Sequence, residues 1–414
     1  MIEMDNYIQQ AEKDCKQQFQ DIQAMVEKNQ NKVLHAFKNN HIGDHHFNST
    51  DGYGYDDSGR DQLEALYADV FGGEDALVRP QIVSGTHAIS TALFSTLYPG
   101  DELLYITGSP YDTLEEVIGK RGDSGGTLKD YHITYNEVGL LEDGSVDFEN
   151  VRKAIHSKTK VVGIQRSKGY EDRPSFTIAA IKEMVDFVKS IDEDVIVFVD
   201  NCYGEFVEEL EPTEVGADLI AGSLIKNPGG GLVRAGGYIV GKESLILQAA
   251  NRLTAPGLGK DAGATLHMLQ EMYHGFFLAP HVVGEALKGA IFTSRLLELI
   301  GFETTPNSTD KRTDIIQSIT FHKEEHMIVF CQEIQKFSPI NSYVTPYPSD
   351  MPGYDEQVIM AGGTFIQGSS IELSVDGPIK PPYIAFLQGG LTYAHVKIAV
   401  SQALRTMLEK GLTP

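Results

Sequence analysis

"DVIVFVDNCYGEF", residues 194–206, runs through five consecutive apolar residues, Val195 to Val199, and ends the run on a carboxylate, Asp200. A strand with one wet face carries a polar residue at every second position. A strand apolar at every position is buried on both faces, which is the mark of a mainly parallel sheet sandwiched by helices. Similar short runs lie on either side: "PQIVSG" at 80–85, "DELLYIT" at 101–107, "KVVGIQ" at 160–165 and "DLIAGS" at 218–223. Between them stand stretches of helical period, "THAISTALFSTLYPG" at 86–100, "YDTLEEVIGK" at 111–120 and "TIAAIKEMVDFVKSI" at 177–191. The alternation predicts a large α/β domain over 71–299.

Outside this core the pattern changes. Residues 5 to 38 place Tyr7, Ile8, Ala11, Cys15, Phe19, Ile22, Val26 and Val33 at mostly three- and four-residue intervals, an amphipathic helix read as a docking arm within residues 1–70. Beyond 300, "YVTPYPSDMPGYDEQ" (343–357) and "GGTFIQGSSIELSVDGPIKPPY" (362–383) suggest hairpins and turns. A smaller α+β domain is expected over 300–414.

Charge narrows the partners. The chain of 414 residues carries a formal charge of −24, which repels nucleic-acid backbones and anionic lipid. Cys15, Cys202 and Cys331 lie too far apart for a disulfide framework or metal-ligand spacing, so a reducing cytoplasm is expected. The polar, acidic N-terminus lacks the form of a secretory signal, and no run reaches the ~18 apolar residues of a membrane span.

In parallel sheets ligands bind outside the carboxyl ends of the strands, so the residues just after them carry the chemistry. Asp200 ends one run, and Lys226 follows another in "DLIAGSLIKNPGGG", residues 218–231. A desolvated lysine loses its charge readily and becomes a nucleophilic amine able to form an imine with an aldehyde such as pyridoxal phosphate. The pyridine nitrogen of that cofactor must stay protonated to act as an electron sink, and the buried anion of Asp200 suits this task. Its phosphate needs hydroxyls and backbone N–H groups at a helix start, which Ser84, Gly85 and Thr86 offer in "IVSGTHAIS", with Ser223 as a further hydroxyl. Tyr111 is placed to stack on the ring.

With these pieces in order, the chain resembles the fold-type I pyridoxal-phosphate enzymes, in particular the cystathionine and methionine lyases of cysteine/methionine metabolism. It is most similar to the bacterial methionine gamma-lyase family also labelled aluminium-resistance proteins, through "GYGYDDSGRD", "SLIKNPGGG" and "QGGLTYAH". The resemblance implies a lyase that breaks a C–S bond of a sulfur-containing amino acid by β- or γ-elimination, with Lys226, Tyr111 and Asp200 as catalytic residues. It also implies a homo-oligomer, a dimer with shared sites assembling to a tetramer, in which Tyr55 and Arg60 reach a neighbour's cofactor phosphate. The better-known lyases carry a hydroxyl residue before the lysine and glycine-histidine after it, where this chain has Ile225, Asn227 and Pro228. Arg166 and Arg312 are the candidates for the substrate carboxylate.

Aminotransfer, aldol cleavage and cofactor binding without turnover share this fold type. Ser223 and Lys226 match the S-x-x-K motif of acylating serine enzymes, but Pro228 and the glycines oppose the helix that motif requires. His41, Asp44, His45 and His46 cluster in "HIGDHHF" without the spacing of a metal site, and no metal is expected.

Overall fold

The computed structural model describes residues 2–171, 173–351 and 356–414. Contacts divide the chain into two units, Asn31–Leu224 with Leu232–Phe277, and Met1–Gln30 with Ile225–Gly231 and Leu278–Pro414.

The first unit is built on seven strands: β1 (Asp75–Arg79), β2 (Glu102–Tyr105), β3 (Thr134–Glu137), β4 (Thr159–Gln165), β5 (Ile196–Asp200), β6 (Leu219–Ser223) and β7 (Gly237–Gly241). They lie in the order β1-β7-β6-β5-β4-β2-β3, with β7 antiparallel to both neighbours and the rest parallel. Leu77, Leu103, Tyr105, Val161, Phe198, Leu219 and Ile239 form one core with Ile89, Ala92 and Leu93 of the helix Gly85–Thr96. On other elements of this unit, Tyr67 stacks on Phe276 at 3.8 Å, and Phe71 and Tyr238 close the aromatic cluster. With both faces covered, the strands can be apolar at every position, which is why β5 reads as an unbroken run.

One strand differs from the expectation. "PQIVSG" is a turn and helix approach, and the strand is the preceding "DALVR". Pro80 cannot donate to a ladder, so pairing stops at Arg79. Arg79 is buried at a strand end because Glu64, fully buried, accepts its Nε at 2.6 Å and the Val78 amide at 3.0 Å. The arginine also donates to the carbonyls of Ala262 and Lys260. Glu64→Gln removes the counter-charge and leaves the guanidinium buried, so a loss of about 3–5 kcal/mol is expected, read from the denaturant midpoint.

The second unit holds a five-stranded antiparallel sheet of β8 (Glu303–Thr305), β9 (Ile316–Thr320), β10 (Val358–Ala361), β11 (Ser374–Pro378) and β12 (Ile384–Gln388), ordered β10-β11-β12-β9-β8. β11 and β12 form the hairpin expected within 362–383 and just beyond it. Of the turns expected over 343–357, residues 352–355 lie outside the described ones.

The N-terminal helix is two helices, Ile2–Asp14 and Lys16–Asn39, broken at Cys15. Its apolar stripe does not await a partner molecule. Met4 and Ala11 join the core of the second unit with Phe292, Leu296, Val396 and Val400. Asp5 pairs with Arg405 at 2.7 Å, Glu12 with Lys397 at 2.5 Å, and Asp14 with Arg295 at 2.7 Å. Val26 leaves no room for a side chain at Gly284, whose Cβ would sit 2.3 Å from its Cγ2. The division therefore falls after residue 30 and after residue 277, where the sequence suggested 70 and 299. Among the described residues no helix is long and apolar enough to cross a membrane.

Candidate active site

The carboxyl ends of β4, β5 and β6 lie side by side, with Gln165 in register with Asp200 and Asp200 with Ala221. Asp200 is buried, and its Oδ1 accepts the Cys202 amide at 3.1 Å. Ser223, also buried, ends β6.

The helix Gly85–Thr96 begins at the same edge. Ser84 is its N-cap and accepts the His87 amide at 3.0 Å, so the amides of Gly85 and Thr86 open a helix of twelve residues, where donors without intrahelical partners and the positive dipole end coincide. A Cβ at Gly85 would meet Cys202 Sγ and Ser223 Cβ at 3.3 Å, which places the helix start against the ends of β5 and β6. Ser84, Gly85, Thr86 and Ser223 thus lie at the edge where β5 ends in Asp200. Ser84 is exposed and the next three residues partly so, leaving this edge accessible.

Tyr111 closes the group. Its hydroxyl donates to Thr86 Oγ1 at 2.9 Å and its amide to Gln165 Oε1 at 2.9 Å. Burial pushes the phenol well above its ordinary pKa, and the negative charge of nearby Asp200 pushes the same way. Tyr111 therefore keeps its proton at neutral pH and can serve as a donor, not as a base.

Lys226 stands three residues after the end of β6 and belongs to the second unit. It is partly buried, and its carbonyl accepts the Gly229 amide at 3.1 Å in a single tight turn over Asn227–Gly229. Ile225 accepts the Ile371 amide at 3.1 Å, tying the lysine segment to the approach to β11. No helix runs from Ser223 through Lys226, so the acylating S-x-x-K geometry is not formed. Lys260, in the loop after the helix Glu243–Leu253, is held by Asp75 at 2.5 Å and Glu64 at 3.3 Å.

Three arginines lie buried among partners of their own chain. Arg60, expected to reach a neighbour's phosphate, is buried in its own chain and donates to the carbonyls of Gly54 and Gly263 and to Asp61. The loop it organises instead presents Tyr53 and Tyr55, stacked at 5.5 Å and both exposed. Arg166, a candidate for the substrate carboxylate, is fully buried against Asn201, Glu211 and Glu208. Arg312 is buried in the second unit, where it donates to Gln317 and burial lowers its pKa to about 10 despite Asp314 and Asp310. The sequence singled out neither Asn201 nor Glu211 as a partner for Arg166; the only signal was an arginine directly after an apolar strand. His46, from the histidine cluster, accepts the Gly43 amide at 3.0 Å within its own turn.

The methionine gamma-lyase family profile matches residues 4–408. The uncharacterized protein YnbB of Bacillus subtilis is 63% identical over 392 residues, 94% of this chain and 93% of its own. A solved structure from Listeria monocytogenes, named provisionally as a cystathionine beta-lyase involved in aluminum resistance, is 58% identical with a TM-score of 0.96, covering 97% of this chain and 99% of that one. A carbon-sulfur lyase involved in aluminum resistance from Clostridium novyi is 50% identical with a TM-score of 0.94, covering 98% and 96%. The pyridoxal-5'-phosphate dependent protein YhfS of Escherichia coli, 16% identical with a TM-score of 0.62 over 93% of this chain and 97% of its own, shares the fold. The sheet, its helix cover and the profile spanning nearly every residue lead to one assignment: this chain belongs to the methionine gamma-lyase family of carbon–sulfur lyases and has the fold-type I architecture.

Proposed function

We propose that the chain binds pyridoxal phosphate through Lys226 and cleaves the C–S bond of a sulfur-containing amino acid. The observation that carries this reading is the convergence of Ser84–Thr86, Ser223, Tyr111 and Asp200 at one edge of the sheet. These residues fit the cofactor. The missing side chain at Gly85 lets the helix start lie against Cys202 and Ser223, Tyr111 offers a ring anchored at its hydroxyl, and Asp200 is the carboxylate that ends β5.

When bound, the cofactor takes up the electron pair left when a substrate α-proton is removed. Lys226 Nζ would hold the cofactor and, once free, its amine would accept the substrate α-proton. Asp200, by its charge, would keep a proton on the ring nitrogen. Tyr111 Oη, kept protonated by burial, gives a proton to the departing thiolate. The purified protein, incubated with a panel of amino acids, should release thiol, keto acid and ammonia together. Keto acid that depends on an acceptor keto acid would indicate aminotransfer, and bound cofactor with no product would indicate binding alone.

The site is completed by a second copy of the chain in a dimer, through Tyr55 and Arg60, and dimers associate to tetramers. Exposed, stacked Tyr53 and Tyr55 support this part of the reading. Inactive Lys226→Ala protein mixed with inactive Tyr55→Ala protein should recover about a quarter of the unsubstituted activity, since half the dimers are mixed and each has one intact site. Exchange of labelled subunits without recovery sinks the shared site. A cytoplasmic location follows from the same reading.

A further inference from the structure

Beneath Asp200 lies a buried polar group that the reaction itself does not use. Arg166 follows β4 directly, and its amide donates to the Asp200 carbonyl at 3.1 Å. Its side chain, fully buried, donates through Nη1 to Asn201 Oδ1 at 2.8 Å and to Glu211 Oε2 at 3.3 Å, while Nη2 faces Glu208 Oε1 at 3.6 Å. Asn201 closes the triangle by donating from Nδ2 to Glu211 Oε2 at 2.9 Å. The other oxygen of Glu211 accepts the Phe206 amide at 2.8 Å. The guanidinium lies flat against the chain at Gly204, where a Cβ would come within 2.5 Å of Arg166 Cδ and 2.7 Å of its Cζ.

These bonds tie one turn, residues 200–206, to Arg166 and Glu211. Residues 200–206 leave β5 through Tyr203 and Phe206, both at positive φ, 69° and 61°, a conformation side-chain-bearing residues adopt only when their surroundings hold them there. The turn sets the position of the Cys202 amide, and that amide is the donor on Asp200 Oδ1 at 3.1 Å. Arg166 thus grips Asn201, the residue between Asp200 and the amide that orients it.

We infer that Arg166 is a positioning residue: by clamping Asn201 and Glu211 it fixes the turn whose Cys202 amide aims the Asp200 carboxylate at the cofactor ring. The inference rests on the proposed role of Asp200. A guanidinium is suited to the task, since its planar fork reaches an amide oxygen and two carboxylates at once, which an ammonium cannot do in the same geometry.

The test uses the holoenzyme. Arg166→Lys keeps the charge and removes the fork; Asn201→Ala removes the link while leaving Arg166 paired with Glu211 and Glu208. Both should lower kcat about 10-fold and move the pH midpoint of the bound cofactor's visible absorbance in the same direction as Asp200→Asn. Because Arg166 acts through Asp200, adding Arg166→Lys to Asp200→Asn should cost less than about 2-fold more. A variant that merely loosens the fold would lower the melting temperature without moving the midpoint. If Arg166→Lys does not fold, Asn201→Ala decides alone. An unmoved midpoint, or a full 10-fold loss on top of Asp200→Asn, overturns the inference while leaving the role of Asp200 standing. An Asp200→Asn protein with normal kcat and midpoint overturns the proposed role itself, and this inference with it.

Discussion

Lys226→Ala is expected to lower turnover by at least about 10³-fold, ~4 kcal/mol at about 1.36 kcal/mol per decade, because one amine both carries the cofactor and moves the α-proton. The visible absorbance of the purified protein should vanish with it. Borohydride reduction of the unsubstituted protein, digestion and mass spectrometry should place the pyridoxyl group on Lys226. Modification at Lys260 would contradict the ion pairs that hold that side chain to Asp75 and Glu64, and would defeat the assignment.

Asp200→Asn comes next in size. The substitution preserves shape, and an asparagine oxygen can still accept the Cys202 amide, so the turn and the fold should survive. What it removes is the anion that keeps the ring nitrogen protonated. In a buried site that charge is worth more than in water, and turnover should fall about 10²-fold, ~2.7 kcal/mol. Near-normal turnover at full cofactor occupancy would rule out the electron-sink role. Melting temperatures measured alongside separate a lost charge from a damaged core.

The residues most legible in the sequence were those whose environment is written into their own strand. Asp200 ends β5 and Ser223 ends β6, and a strand buried on both faces has to be apolar throughout, so a polar residue marks where it leaves the core. The Ser84–Thr86 helix start was legible for a similar reason, since capping chemistry is local. The failures share a physical cause as well. β1 was overlooked in favour of "PQIVSG" because Arg79 makes "DALVR" look like a strand's exposed end, and the Glu64 that neutralises it sits on a helix fifteen residues earlier. For Arg60 and Arg166, nothing in their neighbourhood along the chain shows the carbonyls of Gly54 and Gly263, or the carboxylate of Glu211, folding over them. A charged residue's partner is set by tertiary packing. Position along the chain identifies the charge and is silent on its counter-charge.

The first helix has a consequence of timing. Asp5 and its partner Arg405 are separated by 400 residues, and Glu12 and Lys397 by 385. At about 5–20 residues per second of synthesis, the helix Ile2–Asp14 waits roughly 20–80 s on the ribosome before the surface that covers its apolar stripe exists. Until then Met4, Ala11 and their neighbours are available to chaperones or to other nascent chains, while the sheet of the first unit can already form behind them. Truncation or stalling soon after residue 277, before Phe292, Val396 and Arg405 are made, therefore yields a product with a finished sheet and an uncovered apolar helix, the kind of fragment that quality control removes or that aggregates.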